Sequence, residues 1–393
     1  MSPSDVDLIN LSPTLQLLAI GAALAALPLA WWVWQQRGQG PQGKLRALVA
    51  ITLFLTFDLV LFGAFTRLTD SGLGCPDWPG CYGSATPLGA KASIDAAQTA
   101  MPTGPVTTSK AWIEMIHRKA ATAIGALITL IMVLGFVWRK QLSEALAKSG
   151  RSFSPWWGVL VLVWVCAQGA FGALTVTLKL QPAIVTLHLM GGIGLLMVLA
   201  ALLIHLEIDS IEVNKHEDTL AKTRQKPSLR PLLQVSFALL WLQIALGGWV
   251  STNYAVVACT DFPTCQGSWW PNMALGEGFA IWRELGKTAA GAYLSFDALV
   301  GIHYVHRLMA YAVFALLGFT AWRCLAVPAQ RRTGQWVIAL LLWQLATGLG
   351  NVLLGWPLLA AVGHTGGAAG LVVVLSFALW RKGRQQQAET IAA

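Results

Sequence analysis

Charged residues are scarce in this chain. Asp, Glu, Lys and Arg make up 11% of its 393 residues, whereas a soluble globular domain carries about 25%. Hydrophobic residues make up 55% of the sequence, and they gather into stretches as long as the roughly 20 residues that a helix needs to cross a bilayer. The composition therefore excludes an ordinary soluble domain and indicates an all-α integral membrane protein.

The apolar stretches predict about nine transmembrane helices. Their hydropathy places the spans at residues 14–34, 45–66, 111–138, 155–178, 183–205, 231–252, 298–323, 334–354 and 359–380. No Lys or Arg precedes the first span, and its N-terminal flank carries Asp5 and Asp7. A cleavable signal peptide begins with a positively charged region, so we expect residues 1–40 to be retained as an extra N-terminal membrane anchor.

The basic residues that give the net charge of +9 are concentrated in one set of loops. Lys and Arg cluster between spans one and two, three and four, five and six, and seven and eight, and again after span nine. These loops lie on one side of the membrane, and the positive-inside rule assigns that side to the cytoplasm. We therefore expect a multi-pass protein of the bacterial cytoplasmic membrane with its N-terminus outside and its C-terminus in the cytoplasm. The basic excess orients the chain and indicates no nucleic-acid partner.

The chain contains an internal repeat that is clearest in its polar landmarks. LFGAFTRLTDSGLGCPDWPGCYG at 61–83 matches ALGGWVSTNYAVVACTDFPTCQG at 245–267, and each segment carries Cys-x5-Cys around an Asp-aromatic-Pro core. Downstream, HRKAATAIGAL matches HRLMAYAVFAL, and HLMGGIGLL matches HTGGAAGLV, in the same order. The repeat predicts two tandem four-helix bundles, residues 41–205 and 231–393, joined by a cytoplasmic linker at 206–230.

Four intramembrane histidines form two matched pairs within this repeat. His117 and His188 belong to the first unit, and His306 and His364 belong to the second. All four are predicted to lie five or six residues into their spans, at similar depth below the outer surface. Imidazole is the usual protein ligand of haem iron. The pattern therefore predicts two haem sites, each with two histidine ligands.

One position breaks the match between the two histidine sites. Glu114 precedes His117 by three residues, so both side chains lie on one helix face, and the aligned residue in the second unit is His303. A carboxylate within the membrane is costly and commonly functional; the alternative is an interfacial ion pair with Arg118 or Lys119. Because the second unit has His303 where the first has Glu114, we expect the two units to have different functions.

Three arginines lie near the predicted sites. Arg118 and Arg307 directly follow His117 and His306, and Arg67 ends the second span. Each guanidinium is a candidate contact for haem propionates, as is His303. Extension of these side chains to the membrane surface is the alternative.

Two cysteine pairs lie in loops predicted to face the outside. Disulfides persist in oxidising compartments, and we expect the bonds Cys75–Cys81 and Cys259–Cys265. The spacing is neither CxxC nor a recognised zinc arrangement, and these loops contain no His. A structural or redox-responsive disulfide is therefore favoured over a metal site.

Five segments together resemble the haem A synthase family. They are RLTDSGLGCPDWPGC, EMIHR, TLHLMGG, VHRLMAY and VGHTGGAAG, and the resemblance covers about residues 45–380. Members of that family oxidise the C8 methyl of haem O to a formyl group, which gives haem A for terminal oxidases. The resemblance implies haem b as cofactor on His306 and His364, substrate haem O between His117 and His188, and Glu114 beside the reacting methyl. Expected partners are haem O, haem O synthase, an electron donor and membrane lipid.

The first span and His303 are departures from the family pattern. The span is additional to the eight helices of the family core, and His303 is a second imidazole beside His306. Two other functions fit parts of the sequence. A dihaem quinol oxidoreductase of the cytochrome b type explains the four histidines, and a membrane thiol oxidase explains the cysteine pairs.

Overall fold

The computed structural model describes residues 7–147, 150–207 and 229–392, with backbone alone for residues 381–392. The helices are α1 (Thr14–Gln35), α2 (Pro41–Leu68), α3 (Lys91–Ala100), α4 (Thr108–Val137), α5 (Arg139–Ala147), α6 (Trp156–Thr177), α7 (Pro182–His205), α8 (Arg230–Thr252), α9 (Leu275–Gly278), α10 (Phe296–Leu325), α11 (Arg331–Leu353) and α12 (Leu358–Ala392). Two short strands, β1 (Ile9–Asn10) and β2 (Trp78–Pro79), pair in parallel.

Nine helices of the described residues are long and apolar enough to cross a membrane, which confirms the predicted class. They are α1, α2, α4, α6, α7, α8, α10, α11 and α12. Each of them corresponds to one of the predicted spans. Most of the predicted linker, residues 208–228, lies outside the described residues. The division into two units and a linker therefore stays a prediction, although the helix order agrees with it.

Hydropathy did not predict the short helices α3, α5 and α9. They lie in loops and bury few side chains, as Ile94 shows for α3. They lack an apolar stretch long enough to be read as a span.

Two helices begin earlier than their apolar stretches. The hydroxyls of Thr107 and Ser295 accept the N–H groups of Lys110 and Ala298 and so cap α4 and α10. His117 is consequently the tenth residue of α4, whereas His188 is the seventh of α7. The predicted position of five or six residues from the helix start is therefore confirmed for His188 and His364 and wrong for His117 and His306, because hydropathy marks the apolar boundary and not the cap.

The two four-helix units meet through equivalent helices. In the first unit α2 and α7, and in the second α8 and α12, form the interface, with α12 packing on α2, α7 and α8. The remaining pairs, α4 with α6 and α10 with α11, lie on opposite outer sides of the assembly. We call the end that carries both disulfide loops the disulfide side, and the opposite end the basic side.

The additional helix α1 packs on α4 outside the repeat. Gly21 makes the closest approach, since a Cβ there would lie 2.5 Å from Cγ2 of Thr122. At the disulfide side the chain before α1 is tied to the first disulfide loop, where Trp78 donates its backbone N–H to Leu8 at 2.9 Å. Among residues 7–147, 150–207 and 229–392, the first unit thus has a fifth helix without a counterpart in the second.

Replacement of Gly21 by leucine is expected to weaken the seat of α1 on α4. The added side chain would overlap Thr122, and overpacking of this kind costs about 1–3 kcal/mol. The melting temperature of the purified protein in detergent should fall. Ala22→Leu is the matched control, because Ala22 is exposed; an equal melting temperature for both variants would contradict the packing.

Candidate functional site

A single cavity of about 1080 Å³ runs between the two units, and all four predicted ligand histidines line it. The other predicted site residues share that lining, namely Glu114, His303, Arg67, Arg118 and Arg307. Both histidine pairs lie on the wall of this one cavity, and ligation of one iron by each pair stays a prediction. The structure thus brings together residues that are far apart in the chain.

Each of the four imidazoles lies against a glycine of a neighbouring helix. A Cβ on Gly63 would lie 3.0 Å from His117, and one on Gly247 would lie 3.0 Å from His306. The second histidine of each pair is seated in the same way. A Cβ on Gly172 would lie 3.6 Å from His188 and one on Gly348 would lie 3.2 Å from His364. The glycines let backbone approach the rings and leave the space between the helices open for a flat ligand.

The imidazoles of the second unit are held by polar side chains. The amide nitrogen of Gln243 lies 3.1 Å from Nδ1 of His306. The hydroxyl of Thr347 lies 3.0 Å from Nδ1 of His364. Thr347 donates to the carbonyl of Trp343 and therefore accepts the Nδ1–H of His364, which leaves Nε2 of that ring free for a metal. The amide nitrogen of Gln243 lies within 3.4 Å of both ring nitrogens of His306 and fixes the position of the ring alone. These rings are therefore preorganised.

The first unit has apolar residues at the same two positions. Leu59 stands where the repeat has Gln243, and Phe171 stands where it has Thr347. Nδ1 of His188 is buried and, among the described residues, has no hydrogen-bond partner. His117 stacks on Phe62 with ring centroids 6.2 Å apart. The first pair is thus held by packing, and its rings are less constrained.

Glu114 is buried and fully engaged on the cavity wall. One carboxylate oxygen accepts the backbone N–H of Cys75 at 2.8 Å, and the other pairs with Arg118. In the second unit His303 is likewise buried, and its Nε2 accepts the Nε–H of Arg307 at 3.2 Å. The interfacial pairing that the sequence left open is present, yet Glu114 still lines the cavity beside His117.

The two arginines that follow the histidines hold the disulfide loops. Nη1 of Arg118 donates to the carbonyl of Asp77 at 2.7 Å, and Nη1 of Arg307 donates to the carbonyl of Asp261 at 2.8 Å. Arg307 also donates to the carbonyl of Cys259 at 2.7 Å. The sequence did not predict these partners, which use much of the donor capacity of each guanidinium. Contact with propionates stays a prediction.

Arg67 connects the two units at the disulfide side. It donates to the carbonyl of Ser251 at 2.5 Å, and its guanidinium lies 4.0 Å from the ring centroid of Tyr254. The phenol of Tyr254 donates to Asp70 at 2.5 Å. Burial raises the pKa of Tyr254, and Arg67 opposes that shift. This cluster fixes the first unit against the second where the cavity approaches the loops.

Both predicted cysteine pairs are disulfides, Cys75–Cys81 and Cys259–Cys265. All four cysteines are fully buried, which does not suit a thiol oxidase that must exchange with external thiols.

The aspartate within each disulfide ring organises its loop. Asp77 accepts the N–H groups of Tyr82 and Gly83, and Asp261 accepts those of Gln266 and Gly267. The hydrogen bond from Thr264 and these backbone donors hold the pKa of Asp261 below its usual value.

Sequence reasoning missed the glycines and polar side chains that seat the imidazoles. Gly63 and Gly247 occupy equivalent places in the aligned segments, which was the available signal. Gln243 and Thr347 carried no signal, because a polar residue in a span reveals its partner only after the helices pack.

Arg118→Lys and Arg307→Lys are expected to loosen one disulfide loop each. Lysine keeps the charge but cannot reach several carbonyls at once, and hydrogen bonds to charged groups contribute about 1.5–3 kcal/mol. Mild reductant should expose the thiols of the affected loop about tenfold faster, measured by maleimide labelling and mass spectrometry of peptides. The other loop of each variant is the internal control. Equal labelling of both loops would contradict the assignment.

Known proteins with similar sequences were found along most of the chain. The family model COX15-CtaA, described as cytochrome oxidase assembly protein, matches residues 46–376. The haem A synthase of Shewanella oneidensis is 36% identical over 342 residues, which are 86% of this chain and 98% of that protein. The haem A synthase of Paracoccus denitrificans is 25% identical over 358 residues, covering 86% and 87% of the two chains. The chain therefore belongs to the COX15-CtaA family of cytochrome oxidase assembly proteins, as its motifs predicted.

Proposed function

We propose that this protein is a haem A synthase, an oxidoreductase that converts the C8 methyl of haem O into a formyl group. The conversion removes two hydrogens from the methyl carbon and adds an oxygen. The observation that carries the proposal is a cavity with two histidine pairs, only one of which has a carboxylate beside it. Family membership and the names of the relatives support the same reaction.

The second unit is the proposed cofactor site, with haem b on His306 and His364. Its residues fit such a group, because Gln243 and Thr347 hold both rings in place and Gly247 and Gly348 leave room beside them. A resident cofactor benefits from ligands that are fixed before it binds. When bound, haem supplies electron-transfer and oxygen chemistry, while the protein supplies orientation and electrostatics.

The first unit is the proposed substrate site. His117 and His188 would hold the iron of haem O, and their weaker constraints suit a group that must enter and leave. Glu114 lies on the same helix face as His117, with its carboxylate held by Arg118 and by the backbone of Cys75. A carboxylate so fixed stabilises positive charge that develops on the methyl carbon, or accepts its proton.

The proposed orientation in the bacterial cytoplasmic membrane places the disulfide side outside. Both disulfide loops and the histidine-bearing ends of α4, α7, α10 and α12 share that side, and the described basic loops lie at the opposite end. An oxidising exterior suits the disulfides. Haem O, supplied by a haem O synthase in the same membrane, and an electron donor are the proposed partners.

Coexpression with a source of haem O is expected to yield haem A, and Glu114→Gln should lower that yield by about a hundredfold or more. The amide keeps the size of the side chain but not the charge that the reaction needs. Chromatography of extracted pigments measures the ratio of haem A to haem O. Glu144→Gln, an exposed carboxylate of α5, is the control. Haem b content verifies folding, and undiminished haem A from Glu114→Gln would refute its role.

Histidine variants should separate the two sites. His306→Ala and His364→Ala are expected to lose bound haem b, because each removes one axial ligand. His117→Ala and His188→Ala should retain haem b and lose conversion. Haem per chain is measured from pyridine haemochrome spectra, with His205→Ala, outside the cavity lining, as control. Two equivalent haem b groups and no haem A in the unmodified protein would favour the dihaem quinol oxidoreductase instead.

A further inference from the structure

The cavity of the first unit extends into the gap between α4 and α6. Thr129 of α4 and Cys166 and Gly169 of α6 are exposed at mid-span and line the cavity that contains His117. Their exposed surface belongs to the cavity and to the gap between the two helices. We call this opening, bounded by Gly125, Thr129, Cys166 and Gly169, the lateral mouth.

The helices that form the lateral mouth touch at one end and separate toward the other. Near the basic side, a Cβ on Gly158 of α6 would lie 2.6 Å from Cα of Met132 on α4. Toward the disulfide side, a Cβ on Gly125 or Gly169 would meet nothing within 4 Å. The second unit has the same close contact, between Gly334 and the carbonyl of Ala321.

The second unit fills the equivalent gap with side chains. Phe314 stands at the position of Gly125 in the aligned segments, and Leu345 stands at the position of Gly169, three residues before the glycine that seats the histidine. Both Phe314 and Leu345 line the cavity. Leu345 and Tyr311 of the second unit are also exposed, so the difference between the units is the space that Gly125 and Gly169 leave where Phe314 and Leu345 carry side chains.

The hydroxyl groups near the lateral mouth are hydrogen-bonded within their own helix, so the surface of the lateral mouth is effectively apolar. Thr122 donates to the carbonyl of Arg118 at 2.9 Å, and Thr129 donates to that of Gly125 at 2.8 Å. Their hydrogen-bonding capacity is thus directed into their own helix. No charged residue lies among the four that bound the opening. Such a surface favours a long hydrocarbon chain.

Helix α1 and the residue Leu11 before it line part of the cavity that contains His117. Leu11, Thr14 and Leu18 line the cavity, and Thr14 donates its hydroxyl to the carbonyl of Leu11 at 2.6 Å. This helix precedes the residues that the family model matches, and the described part of the second unit has no counterpart. It extends the apolar surface of the unit that carries Glu114.

We propose that the lateral mouth is the binding subsite for the isoprenoid side chain of the substrate haem, with α1 as its additional wall. The inference rests on the proposed function. Haem O differs from haem b by a long isoprenoid substituent, which needs an apolar channel that leads away from the macrocycle. The cavity offers that channel beside His117 and Glu114, and the filled gap of the second unit suits a haem without such a chain.

Gly125→Phe and Gly169→Leu test the subsite, because each places in the first unit the residue that the second unit has at the aligned position. Open space around both glycines allows the helices to form unchanged. We expect KM for haem O to rise about tenfold or more, since loss of roughly two buried methylene groups is sufficient for that change. Binding of haem b to the first unit, measured as haem per chain with added haem b, should not change.

Gly318→Phe is the matched control, because Gly318 is a helix glycine with nothing within 4 Å and lies outside the cavity lining. The subsite is overturned if the two glycine variants bind and convert haem O like the unmodified protein, which would leave the mouth to lipid acyl chains. It is also overturned if they lose haem b and haem O equally.

Failure of the proposed function gives a different result. In that case the unmodified protein makes no haem A from haem O. The amount of haem O bound per chain can still be measured for the two glycine variants and for Gly318→Phe. Selective loss of haem O retention would then support the subsite by itself.

Discussion

The close approach of imidazole rings to backbone glycines is the contact on which the site depends. A histidine in a membrane helix must lie beside an open space if it is to bind a ligand. Neighbouring side chains must not fill that space. Gly63, Gly172, Gly247 and Gly348 meet both conditions by removing a side chain at the contact. The four contacts keep the space between the helices available, and every other feature of the site is arranged around it.

The duplicated scaffold is symmetric in its backbone and asymmetric in its chemistry. Both units have the same disulfide loop, the same arginine holding that loop and the same glycine seats. They differ at the groups that orient the rings, at Glu114 and His303, and at the lateral mouth. All three differences support the proposed roles of the two units. The second unit would hold its ligand firmly, whereas the first has more open space beside its helices and carries the carboxylate.

The disulfide loops link the disulfide side of the protein to the site. Arg118 binds both the loop carbonyls and Glu114, while the backbone of Cys75 donates to the same carboxylate. A loop that is covalently closed and held by a guanidinium keeps these donors in place without a cost in reorganisation. The corresponding contact in the second unit joins Arg307 to His303, so the same framework positions a different group.

The sequence by itself determined the membrane class, the helix order, the disulfide pairs, the paired histidines and the family, because apolar length, charge and repeated polar landmarks are local signals. Helix starts at Thr107 and Ser295 were misplaced because capping depends on hydrogen bonds and not on hydropathy. Only the tertiary structure decided what seats each ring, where the arginines donate, and how much open space lies beside Gly125 and Gly169. These properties depend on the distances between helices. The sequence alone does not show which residues of other helices lie beside Gly125 or Gln243.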